Sequence, residues 1–147
     1  MDETAFRQAR TAAVEHPCPF EKALLSGCGA CALAQRRNIA EREAVACREG
    51  GARETCAALL GLLRRNAAFA LHLSHPEERL THAQEMKVQC GGLAGLQRAL
   101  ADVEEVGDVG ALAQAACRSE NGLEGLPWSA IMQSVAAWQP RRRAQRT

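Results

Sequence analysis

The sequence predicts an all-α fold, and three observations carry that prediction. The helix formers Ala, Leu, Gln, Glu and Arg dominate the chain. Tyr is absent and aromatic residues make up only 3%, whereas strand-rich domains lean on aromatic and β-branched side chains. Apolar residues recur at spacings of three and four along most of the length. A chain of 147 residues fits one domain with a core of its own. The expectation is a single-domain helical bundle of about five to six helices over residues 1–139, with a central buried helix near 52–73 and a disordered basic tail over 140–147.

The first helix runs from Asp2, a candidate cap, to about Glu15, with Phe6, Ala9, Ala13 and Val14 on its apolar side. His16-Pro17-Cys18-Pro19 ends it, because two prolines in three residues hold the backbone extended. A short apolar turn at Ala23, Leu24 and Leu25 leads to Ser26-Gly27. From about Cys31 to Arg48 the pattern is again helical, with Arg37 and Glu41 spaced for a same-face pair. Glu49-Gly50-Gly51 is a stop.

The next helix, about Ala52 to Leu73, carries Cys56, Leu59, Leu60, Leu63, Ala67, Ala70 and Leu71 on one stripe, widened by Leu62, Phe69 and Leu73. Ser74, with Pro76 in the first turn and Glu77 three residues on, has the form of a capping box opening a helix that uses Leu80, Ala83, Met86 and Cys90. Gly91-Gly92 is expected to break or bend it before Leu93, Leu96 and Leu100. A short helix over Ala111 to Cys117 and a last one over Trp128 to Trp138 complete the bundle.

Seven cysteines exceed what packing asks for. The formal charge of +1 offers no overall field for nucleic acid or an anionic membrane. The charged amino terminus lacks a signal-peptide core, and no apolar run reaches the roughly 18 residues of a membrane span. A cytoplasmic, reducing compartment is therefore expected, where an odd number of thiols suits metal or redox chemistry better than a disulfide framework.

Three of those thiols fall between Cys18 and Cys31, two of them as Cys28-Gly29-Ala30-Cys31. Thiolate ligands gain from free backbone N–H groups in loops and at helix starts. Cys18 precedes Pro19, Cys28 precedes Gly29, Cys90 precedes Gly91-Gly92, and Cys31 would open a helix. Local backbone thus selects Cys18, Cys28, Cys31 and Cys90, a four-thiolate set for an iron–sulfur cluster of the 4Fe-4S type. Helix geometry gives a competing set. A helix over 31–47 would hold Cys31 and Cys47 roughly 24 Å apart, and would bring His72 or His75 toward Cys18, Cys28 and Cys31 as a Cys3His site for zinc, with Cys47, Cys56 and Cys90 grouped at the far end.

The expected function is electron transfer, cluster handling or redox sensing, since no nucleophile, base and oxyanion set suggests hydrolysis or group transfer. Two alternatives stand beside it. One is a dithiol redox protein using Cys28 and Cys31. The other is a helical adaptor that meets a protein partner through Trp128, Trp138 and the arginines from Arg141 onward; base-specific nucleic-acid binding has no support.

Overall fold

The computed structural model describes residues 3–13, 16–39, 41–75, 78–101 and 107–140. The fold is mixed rather than all-α. Among the described residues there are six helices and one two-stranded antiparallel sheet. In order these are α1 (Glu3–Ala13), α2 (Glu21–Leu25), β1 (Ala34–Ile39), β2 (Arg42–Cys47) and α3 (Gly50–Ala70). Then comes α4, one continuous helix built from His82–Met86, a π-helical turn at Lys87–Gly91 and Gly92–Ala101. The order closes with α5 (Val109–Cys117), a 3₁₀ turn at Leu123–Gly125 and α6 (Trp128–Ala137). Asp2, Val14, Glu15 and the arginine tail lie outside the described residues.

The hairpin replaces the helix expected over 31–48, and burial explains why. Ala44, Val45 and Ala46 are all buried, yet they belong to two different cores. Ala44 and Ala46 pack with Ile39 against Phe6 of α1, while Val45 enters the main core with Phe20 and Leu24. A strand alternates its side chains between faces and so serves both cores at once, which a helix could not do with three consecutive residues. Ile39 pairs with Arg42, leaving a two-residue connection whose Glu41 takes the left-handed φ of 71°. Glycine or asparagine would announce such a turn, and neither is there. The Arg37–Glu41 pair therefore does not form. Instead Arg36 reaches diagonally across the sheet to Glu43 at 3.2 Å, and Arg37 donates to Gln35.

α3 is the long central helix, and it buries Ala52, Cys56, Leu59, Leu60, Leu63 and Ala67. Its apolar stripe is narrower than expected, for Phe69 is 92% exposed. The helix ends in a Schellman arrangement: the Leu73 N–H donates to the Ala68 carbonyl across His72, whose φ is 57°. Ser74 does not start the next helix. Its described neighbours are non-helical, and the capping box sits at Thr81, whose hydroxyl accepts from the Gln84 N–H while Gln84 Oε1 accepts from the Thr81 N–H.

Gly91-Gly92 does not break α4. Its small residues let other helices come close: a Cβ on Gly91 would lie 2.8 Å from the Val135 Cα of α6, one on Gly92 2.8 Å from Leu63 Cδ2 of α3, and one on Gly95 2.8 Å from Ser134 Cβ. Leu93, Leu96, Ile131 and Val135 are fully buried as a result. No helix among the described residues is long and apolar enough to cross a membrane.

Candidate thiol site

Four separate pieces of chain bring Cys18, Cys31, Cys47 and Cys56 to one cavity. The proline-bounded segment before α2 lies along the second edge of β2: the Cys18 N–H donates to the Val45 carbonyl at 2.9 Å, the Cys47 N–H donates to the His16 carbonyl at 2.7 Å, and Pro17 bridges Ala46. These bonds set Cys18 beside the end of β2, where Cys47 sits. Cys31 lies just before β1, whose first residue, Ala34, pairs with Cys47. Cys56 comes from the second turn of α3, which follows β2 after two residues.

Asp108 holds the Cys31 loop from the other side. Its Oδ1 accepts from the Ala111 N–H as the N-cap of α5, and its Oδ2 accepts from the Ala32 N–H at 2.8 Å. Ala30 and Asp108 also form a parallel backbone bridge. The first turn of α5 consequently presses on the thiol, and a Cβ on Gly110 would stand 3.1 Å from Cys31 Sγ.

The cavity is small, about 20 Å³, and otherwise lined by apolar groups such as Leu33, Ala34 and Val109. The four thiols carry no disulfide. Burial pushes the Cys18 thiol up to about 11 and the Cys56 thiol up to about 12, because an apolar surround disfavours the thiolate. Cys47 donates its S–H to the Glu49 carbonyl at 3.1 Å. Among the described residues the one cation lining the cavity is Arg53, three residues before Cys56, whose Nε donates to the Pro17 carbonyl. Among the described residues, no three His, Cys, Asp or Glu side chains converge closely enough to hold a single metal ion.

Cys28 and Cys90 are joined in a disulfide. The pairing departs from the expectation of free thiols, and it divides the four-cysteine set chosen from local backbone: Cys18 and Cys31 line the cavity, whereas Cys28 and Cys90 are bonded to each other. Cys90 sits in the π turn of α4 and is 2% exposed; Cys28 is half-buried in the loop after α2. Ser26 Oγ lies 3.4 Å from Cys28 Sγ and 3.7 Å from Cys90 Sγ. Next to Cys90, Gln89 Oε1 accepts from the Ala23 N–H, and its amide donates to Glu85 at 2.7 Å. Glu85 in turn takes a two-pronged hydrogen bond from Arg64 of α3. This buried chain of polar groups fastens the π turn to α2 and α3.

Neither His72 nor His75 lines the cavity; both are exposed past the carboxyl end of α3, at the opposite end from Cys56. Cys117 is exposed and apart from the others. Trp128 and Trp138 pack half-buried on the main core, with Trp128 Nε1 donating to the Leu123 carbonyl. Arg36 bonds Glu43 and the Leu24 carbonyl. The competing reading from helix geometry grouped Cys47 and Cys56 with Cys90, apart from Cys18 and Cys31, and left Arg53 out; instead Cys90 is bonded to Cys28, while Cys47 and Cys56 line the cavity with Cys18, Cys31 and Arg53. The signal for them was the alternation of Val45 and Cys47 on one strand face, which the helix-forming composition of the segment concealed.

No family model matches this chain, and neither the curated proteins nor the solved structures give a significant match.

Proposed function

We propose that Cys18, Cys31, Cys47 and Cys56 ligate an iron–sulfur cluster, and that the protein works in electron transfer, cluster handling or redox sensing. The observation behind this reading is the convergence of four free thiols, from a loop before α2, a loop before β1, the end of β2 and the start of α3, on one apolar cavity. A multinuclear cluster carries its thiolates on the corners of an inorganic core, so it needs a wider ligand set than the roughly 2.3 Å bonds of one zinc ion allow. Loading moves the thiols outward from a cavity of about 20 Å³.

The surround suits the chemistry. Arg53 offsets the negative charge of a thiolate-bound cluster, and the apolar lining excludes water and thereby tunes its potential. Binding displaces the protons that burial keeps on Cys18 and Cys56, so loading is favoured by rising pH.

The test is anaerobic reconstitution of the full chain with ferrous iron and sulfide. Broad visible absorption with stoichiometric iron and acid-labile sulfide is expected in the wild type. It should be lost in Cys47→Ser and Cys56→Ser and kept in Cys117→Ser. Equal retention in all three variants, or a colourless protein holding one zinc, overturns the reading.

A further inference from the structure

We infer that the Cys28–Cys90 disulfide is a thiol–disulfide exchange site whose substrate is a dithiol, with Cys28 as the sulfur attacked and Cys90 as the sulfur released. Neither a metal nor a cavity thiol takes part, so the inference stands independently of the proposed cluster. Access to the two sulfurs is unequal. Cys28 is half-buried in the loop after α2, and Leu25, Ser26 and Gly27 beside it are exposed, so an incoming sulfur can reach it. Cys90, in the π turn of α4, is 2% exposed and closed to attack. Exchange depends on which sulfur is reached and on how well the other leaves.

The frame that aligns the pair does not run through the S–S bond. The Cys28 N–H donates to the Ala23 carbonyl at 2.9 Å, and the Ala23 N–H donates at 3.0 Å to Oε1 of Gln89, the residue before Cys90. Gln89 is fixed in turn through Glu85 and Arg64, and Gly91, on the other side of Cys90, packs against the backbone of α6. Opening the bond thus leaves the two thiols in a frame that keeps them facing each other, and an oriented pair re-forms its bond as an intramolecular step. Ser26 completes the arrangement. Its Oγ lies 3.4 Å from Cys28 Sγ and 3.7 Å from Cys90 Sγ, and in the closed form it donates to the Ala23 carbonyl at 3.1 Å. Turned from that carbonyl, the same hydroxyl donates to the thiolate that forms on Cys90.

In the forward direction a thiolate of the dithiol attacks Cys28 Sγ. The electron pair of the Cys28–Cys90 bond passes to Cys90, which leaves as a thiolate, and a mixed disulfide holds the substrate on Cys28. The second thiolate of the substrate then attacks its own sulfur in that mixed disulfide and expels the Cys28 thiolate. The substrate departs as a disulfide, and the two protons it gave up are taken by Cys28 and Cys90. In the reverse direction the Cys28 thiolate attacks a substrate disulfide, and Cys90 displaces the reduced substrate and restores the bond.

The test treats the folded full chain with dithiothreitol or with reduced thioredoxin, stops the reaction with N-ethylmaleimide in denaturant, and maps alkylation at Cys28 and Cys90. Opening is expected at a rate proportional to dithiol concentration that changes by less than about twofold on adding sub-denaturing guanidinium. A rate that levels off with dithiol concentration and climbs steeply with guanidinium marks a staple reached only by unfolding, and overturns the inference. Ser26→Ala should slow opening about tenfold, through the loss of one hydrogen bond to a charged group; an unchanged rate overturns the role of Ser26. With oxidised glutathione, Cys90→Ser should trap a mixed disulfide at Cys28 and Cys28→Ser should trap none at Cys90, and the opposite pattern overturns the order of attack. The wild-type rate law needs no variant, so it decides the inference even where a variant fails to fold. Faster opening by thioredoxin than by dithiothreitol at equal concentration identifies the substrate as a protein dithiol, and slower opening identifies it as a small one; both support the site.

Discussion

Cys28 and Cys90 stand 62 positions apart in the chain and 5.6 Å apart at their Cα atoms, joined through sulfur so that the loop after α2 is tied to the middle of α4. Closing a loop of this length is worth about 4 kcal/mol in the chain-entropy account of disulfides. Dithiothreitol should therefore lower the guanidinium midpoint of the wild type by an amount equivalent to about 2–4 kcal/mol. The midpoint of a Cys28→Ser, Cys90→Ser double variant should be lower from the start and indifferent to reductant.

Two glycines in long helices should respond to alanine in opposite directions. Gly61 of α3 has nothing within 4 Å of its Cβ position, so Gly61→Ala should stabilise by about 0.5–1 kcal/mol through helix propensity. A Cβ on Gly91 meets the backbone of Val135 at 2.8 Å and that of Ser134 at 2.9 Å, and backbone does not move aside as a side chain does. Gly91→Ala should cost about 1–3 kcal/mol. Thermal unfolding of the two variants checks both signs at once.

Gln89→Leu removes the acceptor of the Ala23 N–H and leaves that donor without its partner in a buried setting, while Glu85 keeps its two-pronged bond from Arg64. The expected loss is about 1–3 kcal/mol for the one stranded group. Lys22→Ala, at an exposed contact with His82, should change stability by less than about 0.5 kcal/mol in the same denaturant series.

Alkaline titration of the metal-free protein should expose the buried thiols. Cys18 and Cys56 hold their protons up to about 11 and about 12 in the folded chain, against an ordinary thiol value of 9.0. Between those values the folded state carries protons that the unfolded state has lost. Stability from this source is complete below 9.0 and falls as pH rises through the window toward 12. Tyrosine is absent and lysine is confined to Lys22 and Lys87, so few other groups mask the effect. The fall in urea midpoint between about pH 9 and 11 should be visibly shallower in Cys56→Ala than in the wild type.

Local signals in the sequence served where local forces decide the structure. The proline-bounded stop before Cys18, the Gly50-Gly51 stop, the long stripe of α3 and the last helix from Trp128 all emerge close to where periodicity and capping residues put them. The failures come from decisions taken at long range. Arg42 to Cys47 has helix-forming composition, and it becomes a strand because Phe6 on one side and Phe20 on the other each claim part of it. Thr81 prevails over Ser74 as a helix start although both have the right residue three positions on. Cys18 was singled out from its proline-bounded loop and Cys31 from an expected helix start that is instead the loop before β1, and both line the cavity. Cys47 and Cys56 were not placed with them, because their meeting depends on a hairpin that no turn residue announces, and the partner of Cys28 depends on where α4 is clamped.

The π turn of α4 also sets the phase of the helix on its two sides. An α-helix advances about 100° per residue, and the wider turn at Lys87–Gly91 accommodates one residue beyond the regular count. It thereby orients Glu85 and Gln89 toward α2 and α3 independently of the direction in which Gly92, Leu93 and Leu96 face. Removing one residue here would restore an unbroken α-helix and rotate one half against the other, so that the disulfide and the glycine seam on α6 could no longer be satisfied together. Length in this segment is thus under tighter constraint than residue identity: substitutions alter a contact, whereas a single deletion changes the alignment of every contact on one side of it.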